Sequence, residues 1–179
     1  MAALLRELSE GADSLFVGGF SMGGALALHL LRGTLPANLY GVFSIGSFLT
    51  ADSALLTGEL PIAAAGPPVL MMHGSEDLLV PLAWGRATST SLLLGGADVQ
   101  FREYAGLSHE IGEEQLADLL LWMEDALHRR TIETSTPGRG LFGGSLAEFR
   151  DAEDCFPFLI ESEPGSSSVR VRFMVPAGA

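Results

Sequence analysis

The stretch from Ser14 to Leu31 constrains this chain most, because it carries no formal charge over a length that reaches the shortest membrane spans. Its interior holds Gly18, Gly19, Gly23 and Gly24, with Ser21 between the two pairs and His29 further on. Paired glycines around a serine weaken a spanning helix, whereas a strand, a tight turn and a helix accommodate them. The pattern predicts a buried strand from Ser14 to Gly18, then a helix from Met22 to Leu31 stopped by Gly33 at the C′ position. The N-terminal Met1-Ala-Ala-Leu-Leu-Arg-Glu lacks a basic n-region, and Arg6 and Glu7 interrupt any apolar export core. The expectation is a soluble, cytoplasmic protein without a transmembrane segment.

The same alternation recurs downstream. Leu4, Leu5 and Leu8 fall at helical spacing before Gly11. Tyr40 to Ile45 reads as a second strand, Val69 to Met72 as a third after Pro67-Pro68, and Val99 to Tyr104 as a fourth. Pro81 suits the first residue of a helix to about Leu94. A last helix, Glu113 to Arg129, carries Leu116, Leu119, Leu120, Met123 and Leu127 as one stripe, with acids at its start and Arg129 and Arg130 at its end. Strands apolar on both faces, alternating with helices, predict an α/β fold: a mostly parallel sheet of about four strands flanked by helices. Right-handed crossovers then gather the loops after the strands on one rim.

Beyond Arg130 the character changes. Residues 131–144 are rich in Thr, Ser, Gly and Pro, as linkers are, and Ser145-Leu-Ala-Glu148 is a capping-box pattern for a short helix. Cys155 to Ile160 and Val169 to Val175 read as strands around Pro164-Gly165. The expected division is a domain over 1–130 and a linker with a C-terminal extension over 131–179.

Composition removes whole classes of chemistry. Acidic residues outnumber basic ones 22 to 10, for a net charge of −12, which argues against nucleic-acid binding. All ten basic residues are arginines, so neither a Schiff base nor a Walker-type phosphate loop is available. One cysteine, Cys155, precludes an intramolecular disulfide and a multi-thiolate zinc site.

What remains is hydroxyl and imidazole chemistry. Gly19-Phe-Ser-Met-Gly23 is a G-x-S-x-G between a strand and a helix, the context of a nucleophile elbow. The helix behind it aims free N–H groups at the serine, and the amide of Met22 would be one oxyanion donor. Ser21 needs a base, and in this arrangement the chain order is Ser, acid, His. His29 lies within a helix and His128 at a helix end, where packing or the dipole explains them. His73 precedes the acidic loop. His109, in the loop after the fourth strand, has the right order and rim. For the acid, Glu76 and Asp77 in His73-Gly-Ser-Glu-Asp-Leu-Leu-Val-Pro81 are equally placed.

Taken together, Gly19-Phe-Ser-Met-Gly-Gly24, His73-Gly-x-x-Asp77-x-x-Val-Pro81 and His109-Glu110 resemble the acyl-protein thioesterase and lysophospholipase group of α/β-hydrolases. Ser47-Phe48-Leu49 after the second strand and Trp122 in the last helix extend the likeness, which covers about residues 1–130. The resemblance implies Ser21 as nucleophile, Asp77 as acid and His109 as base. It further implies hydrolysis of carboxylic esters or thioesters through an acyl-enzyme, without metal or organic cofactor. Lipidated proteins, lysophospholipids and small esters are the implied substrates.

The likeness begins at the helix before the elbow strand. The family's preceding strands have no counterpart, nor does the His-Gly-x-Gly-Asp-type loop that supplies a second oxyanion N–H. One lost donor typically costs about 10²–10³-fold in turnover. The elbow strand would also show an open edge, inviting self-association unless the C-terminal strand patterns cover it. Three readings follow: an active serine esterase or thioesterase, a catalytically impaired fragment acting at most as an interaction module, and a dienelactone-hydrolase-like enzyme. Ser21 speaks against the third, where cysteine nucleophiles are common. Phe48, Leu49, Leu79 and Val80 fit either an acyl site at the rim or the core.

Overall fold

The computed structural model describes residue 9 and residues 12–50, 66–133, 158–162 and 169–173. The order of elements is β1 (Ser14–Phe20), α1 (Met22–His29), a 3₁₀ turn (Leu30–Arg32), β2 (Leu39–Ile45), β3 (Val69–Gly74), α2 (Leu82–Leu94), β4 (Val99–Tyr104), α3 (Glu113–Glu133), β5 (Phe158–Ser162) and β6 (Val169–Phe173). They form one sheet in the order β4-β3-β2-β1-β5-β6. The four strands β1 to β4 run parallel, as their apolar character requires.

Side chains alternate between two packed faces. Leu15, Val17, Val42, Val69 and Met71 point one way, into a cluster with Leu28 of α1 and Leu92 of α2. Phe16, Phe43, Ile45, Leu70 and Met72 point the other way, against Leu119, Trp122 and Met123 of α3. The Trp122 ring meets Phe16 edge-on, with centroids 5.9 Å apart. Full burial of each such aliphatic or aromatic side chain contributes about 1.5–3 kcal/mol before ordering costs, so these two layers dominate the stability of the sheet.

Several boundaries differ from the sequence reading, each for a local reason. Gly33 is extended (φ −107, ψ −179) rather than left-handed, because α1 tightens into the 3₁₀ turn and Gly33 N–H closes on Leu30 O at 3.0 Å. Pro81 stands just outside α2, with an extended ψ of 133, instead of opening it. β3 continues to Gly74, so His73 belongs to the strand rather than to the loop after it. α3 runs past Arg129 to Glu133. Of the early helical pattern over 4–11 only Ser9, which is helical, is described, and the capping box at Ser145 lies outside the described residues.

The two edges of the parallel group are handled differently. On β4, Arg86 of α2 pairs with Glu103, and Arg102 pairs with Asp118 of α3, a charged edge that discourages further strands. The open edge of β1 is instead paired antiparallel with β5, in the register Phe16↔Ile160, Val17↔Leu159 and Gly18↔Phe158. β6 pairs antiparallel outside β5. Among the described residues no helix is long and apolar enough to cross a membrane.

Candidate active site

The turn from β1 into α1 holds the serine in a backbone conformation that few residues adopt. Ser21 has φ 52 and ψ −120, and among the described residues no other non-glycine residue has a positive φ. Such a conformation costs on the order of 1–3 kcal/mol and persists only where its surroundings fix it. Here Ser21 N–H donates to Ile45 O at 2.8 Å, and Ser21 O accepts from Ala25 N–H at 3.2 Å. The flanking glycines are a steric requirement: a Cβ on Gly19 would come within 2.5 Å of the Gly23 carbonyl carbon. Met22 opens α1, so its amide belongs to the first turn, where helix N–H groups have no acceptor within the helix.

The candidate acid comes from the turn after β3. Asp77 is buried at 5% exposure, whereas Glu76 beside it is exposed, and this separates two residues that composition could not. Asp77 Oδ1 accepts from the amides of Leu79 at 3.0 Å and Val80 at 2.8 Å. Burial pushes the Asp77 carboxyl up, but the hydrogen bond from His109, the Val80 and Leu79 amides and the attraction of His109 outweigh it. The net effect holds the carboxyl below the usual aspartate value.

His109 lies in the loop between β4 and α3 and links the other two groups. Its Nδ1 is 2.7 Å from Asp77 Oδ2, and its Nε2 is 3.0 Å from Ser21 Oγ. The carboxylate only accepts, so Nδ1–H donates to it and Nε2 is left to accept from the serine hydroxyl. A continuous path of hydrogen bonds thus runs from the buried carboxylate to the serine. That path can draw a proton from the hydroxyl as the oxygen attacks an electrophile. The Phe20 ring lies against the imidazole with centroids 4.6 Å apart. Sequence reasoning missed Phe20, because the variable position before the serine carries no signal of its own.

The other sequence candidates fall elsewhere. His128 Nδ1–H donates to Glu124 O, one turn back in α3, at 2.9 Å. His29 is half-buried in α1, where burial and the nearby Arg32 push its pKa down. Leu49 and Val80 are core residues, at 4% and 9% exposure. Leu79 is 74% exposed beside Asp77, and the Phe48 ring lies tilted against the half-exposed Trp84 with centroids 4.6 Å apart.

Comparison with known proteins shows the family and the fold. Residues 4–126 match the phospholipase/carboxylesterase family, and the chain belongs to it. Lysophospholipase-like protein 1 of Mus musculus is 34% identical over 109 residues, 61% of this chain and 45% of that protein. Acyl-protein thioesterase 1 of Debaryomyces hansenii is 31% identical over 119 residues, 66% of this chain and 50% of that protein. The crystal structure of Arabidopsis thaliana SOBER1 superposes with a TM-score of 0.59 at 30% identity, covering 70% of this chain and 60% of that one. The chain therefore carries a partial α/β-hydrolase fold and spans about half the length of the curated relatives it matches.

Proposed function

We propose that this chain is a serine hydrolase of carboxylic esters or thioesters that works through an acyl-enzyme on Ser21. The observation that carries this reading is the unbroken path Asp77 Oδ2, His109 Nδ1, His109 Nε2, Ser21 Oγ, at 2.7 and 3.0 Å. His109 takes the serine proton as Oγ attacks the acyl carbon, and Asp77 holds the ring and stabilises the imidazolium. The oxyanion that forms sits at the start of α1, where the Met22 amide donates to it. The tetrahedral intermediate collapses, the leaving alcohol or thiol takes the proton from Nε2, and Ser21 keeps the acyl group. Water, deprotonated by His109, then attacks the acyl carbon and releases the acid and the free serine. None of these steps draws on a metal or organic cofactor.

The relatives' names support an acyl ester or thioester as the substrate class: a lysophospholipid, a lipidated protein or a small ester. Leu79, exposed next to Asp77, and the Phe48–Trp84 pair offer apolar surface at the rim for an acyl chain. We read 1–130 as the C-terminal half of a hydrolase domain and 131–179 as a linker with an extension. A cytoplasmic location fits a sequence with a single cysteine. Since β5 occupies the edge of β1, we assign any self-association to the outer edge of β6.

The test is labelling of the purified chain with a fluorophosphonate probe beside Ser21→Ala and His109→Ala. Labelling that needs Ser21 and falls with His109→Ala supports the mechanism. A folded preparation that does not label selects the alternative, an impaired fragment serving at most as an interaction module.

A further inference from the structure

The second histidine near the acid has no part in the proton path, yet the chain builds around it with care. His73 lies in β3 and is buried at 1% exposure. Its Nε2 is 2.8 Å from Val80 O, and a carbonyl can only accept, so Nε2 carries the hydrogen. The same nitrogen lies 3.5 Å from Asp77 Oδ2. The other ring nitrogen, Nδ1, is buried with no hydrogen-bond partner and is packed on α2. A Cβ at Gly85 would fall 2.5 Å from it, so only glycine lets the ring take this place. Phe101 of β4 flanks the ring at a centroid distance of 6.5 Å, and Glu103, opposite His73 in the ladder, is engaged by Arg86.

Resting on the assignment of Asp77 and His109 above, we propose that His73 is a positioning residue for the acid. By holding the Val80 carbonyl, it closes the turn whose Leu79 and Val80 amides orient Asp77 Oδ1, which leaves Oδ2 directed at His109. Two requirements follow from this role. The hydrogen must sit on Nε2, because a hydrogen on Nδ1 would be buried against Gly85 without an acceptor. A replacement must present an N–H at the Nε2 position, which the amide of Gln does and the shorter Asn does not.

The test uses the full chain labelled with ¹⁵N-histidine, with His73→Gln and His73→Asn alongside. At neutral pH the wild type is expected to show His73 as the Nε2–H tautomer and a low-field Hδ1 proton on His109 from its bond to Asp77. His73→Asn should lose that low-field proton while keeping its fold by circular dichroism, and His73→Gln should keep it. With a short thioester, His73→Asn should lower kcat roughly 10- to 100-fold with KM little changed, as misplaced groups do, and His73→Gln should recover most of it. His73 carrying its hydrogen on Nδ1 would overturn the proposal. So would a folded His73→Asn that retains both the His109 proton and full kcat. The resonance measurements decide the matter even in a chain that does not label with fluorophosphonate, so failure of the hydrolase reading is seen separately.

Discussion

The four parallel strands and the C-terminal pair β5–β6 lie in one sheet but serve it differently. Every side chain of the proton path comes from a turn at the C-terminal ends of β1, β3 and β4, on one rim. The pair supplies backbone partners along β1, and its Ser162 and Val169 lie at the Ser14 end, away from the serine. The difference teaches that chemistry and edge protection are separable here. The rim depends on strand order and crossovers, while the edge of β1 needs only a ladder of N–H and C=O groups.

That separation predicts a hierarchy of effects. Ser21→Ala should reduce turnover at least about 10³-fold with the melting temperature little changed, measured by ester hydrolysis and calorimetry. Asp77→Asn should lower kcat by roughly 10²–10⁴-fold, because the imidazole loses its fixed orientation and its counter-charge. Next comes Gly19→Ala, which drives a methyl into the Gly23 backbone and should destabilise by roughly 1–3 kcal/mol, read from urea unfolding. Ile160→Pro removes a donor from β5, a strand paired on both sides, and should lower the melting temperature while leaving fluorophosphonate labelling intact. If it abolished labelling, the edge and the rim would not be separable after all.

A pH series gives the smallest effect. The Asp77 carboxyl is held below its ordinary value in the folded chain, so the unfolded chain takes up its proton first as the pH falls. Its stabilising contribution is therefore complete above about pH 4, the unfolded value, and is lost as the pH falls through the lower folded one. The stability difference between wild type and Asp77→Asn should shrink as the pH falls below about 4, by denaturant titration.

The parallel half was legible in the sequence because its strands are apolar on both faces and bounded by Gly and Pro, as in Pro67-Pro68 before Val69. The serine was legible because its backbone demands glycine neighbours. The acid was not legible from composition, since Glu76 and Asp77 share one turn and differ only in which is buried. Family resemblance points to Asp77, and the structure gives that carboxylate hydrogen bonds from Leu79, Val80 and His109. Helix ends were read less well: Gly33 suggested a left-handed stop, but a 3₁₀ turn did the work first. The pairing of β5 with β1 could be suspected from an open edge but not read in register, because alternation reveals a strand and not its neighbour.

The two tryptophans divide along the same line and give the protein two optical channels. Trp122 is 2% exposed under β1 and β2, and Trp84 is 48% exposed on α2 beside Phe48. Emission from Trp122 should be blue-shifted, insensitive to acrylamide, and change only when the core opens. Trp84 should emit to the red, be quenched readily, and respond to an acyl ligand at the rim under the proposed function. Wavelength-resolved quenching of one unlabelled sample would thus report occupancy and unfolding as two independent signals.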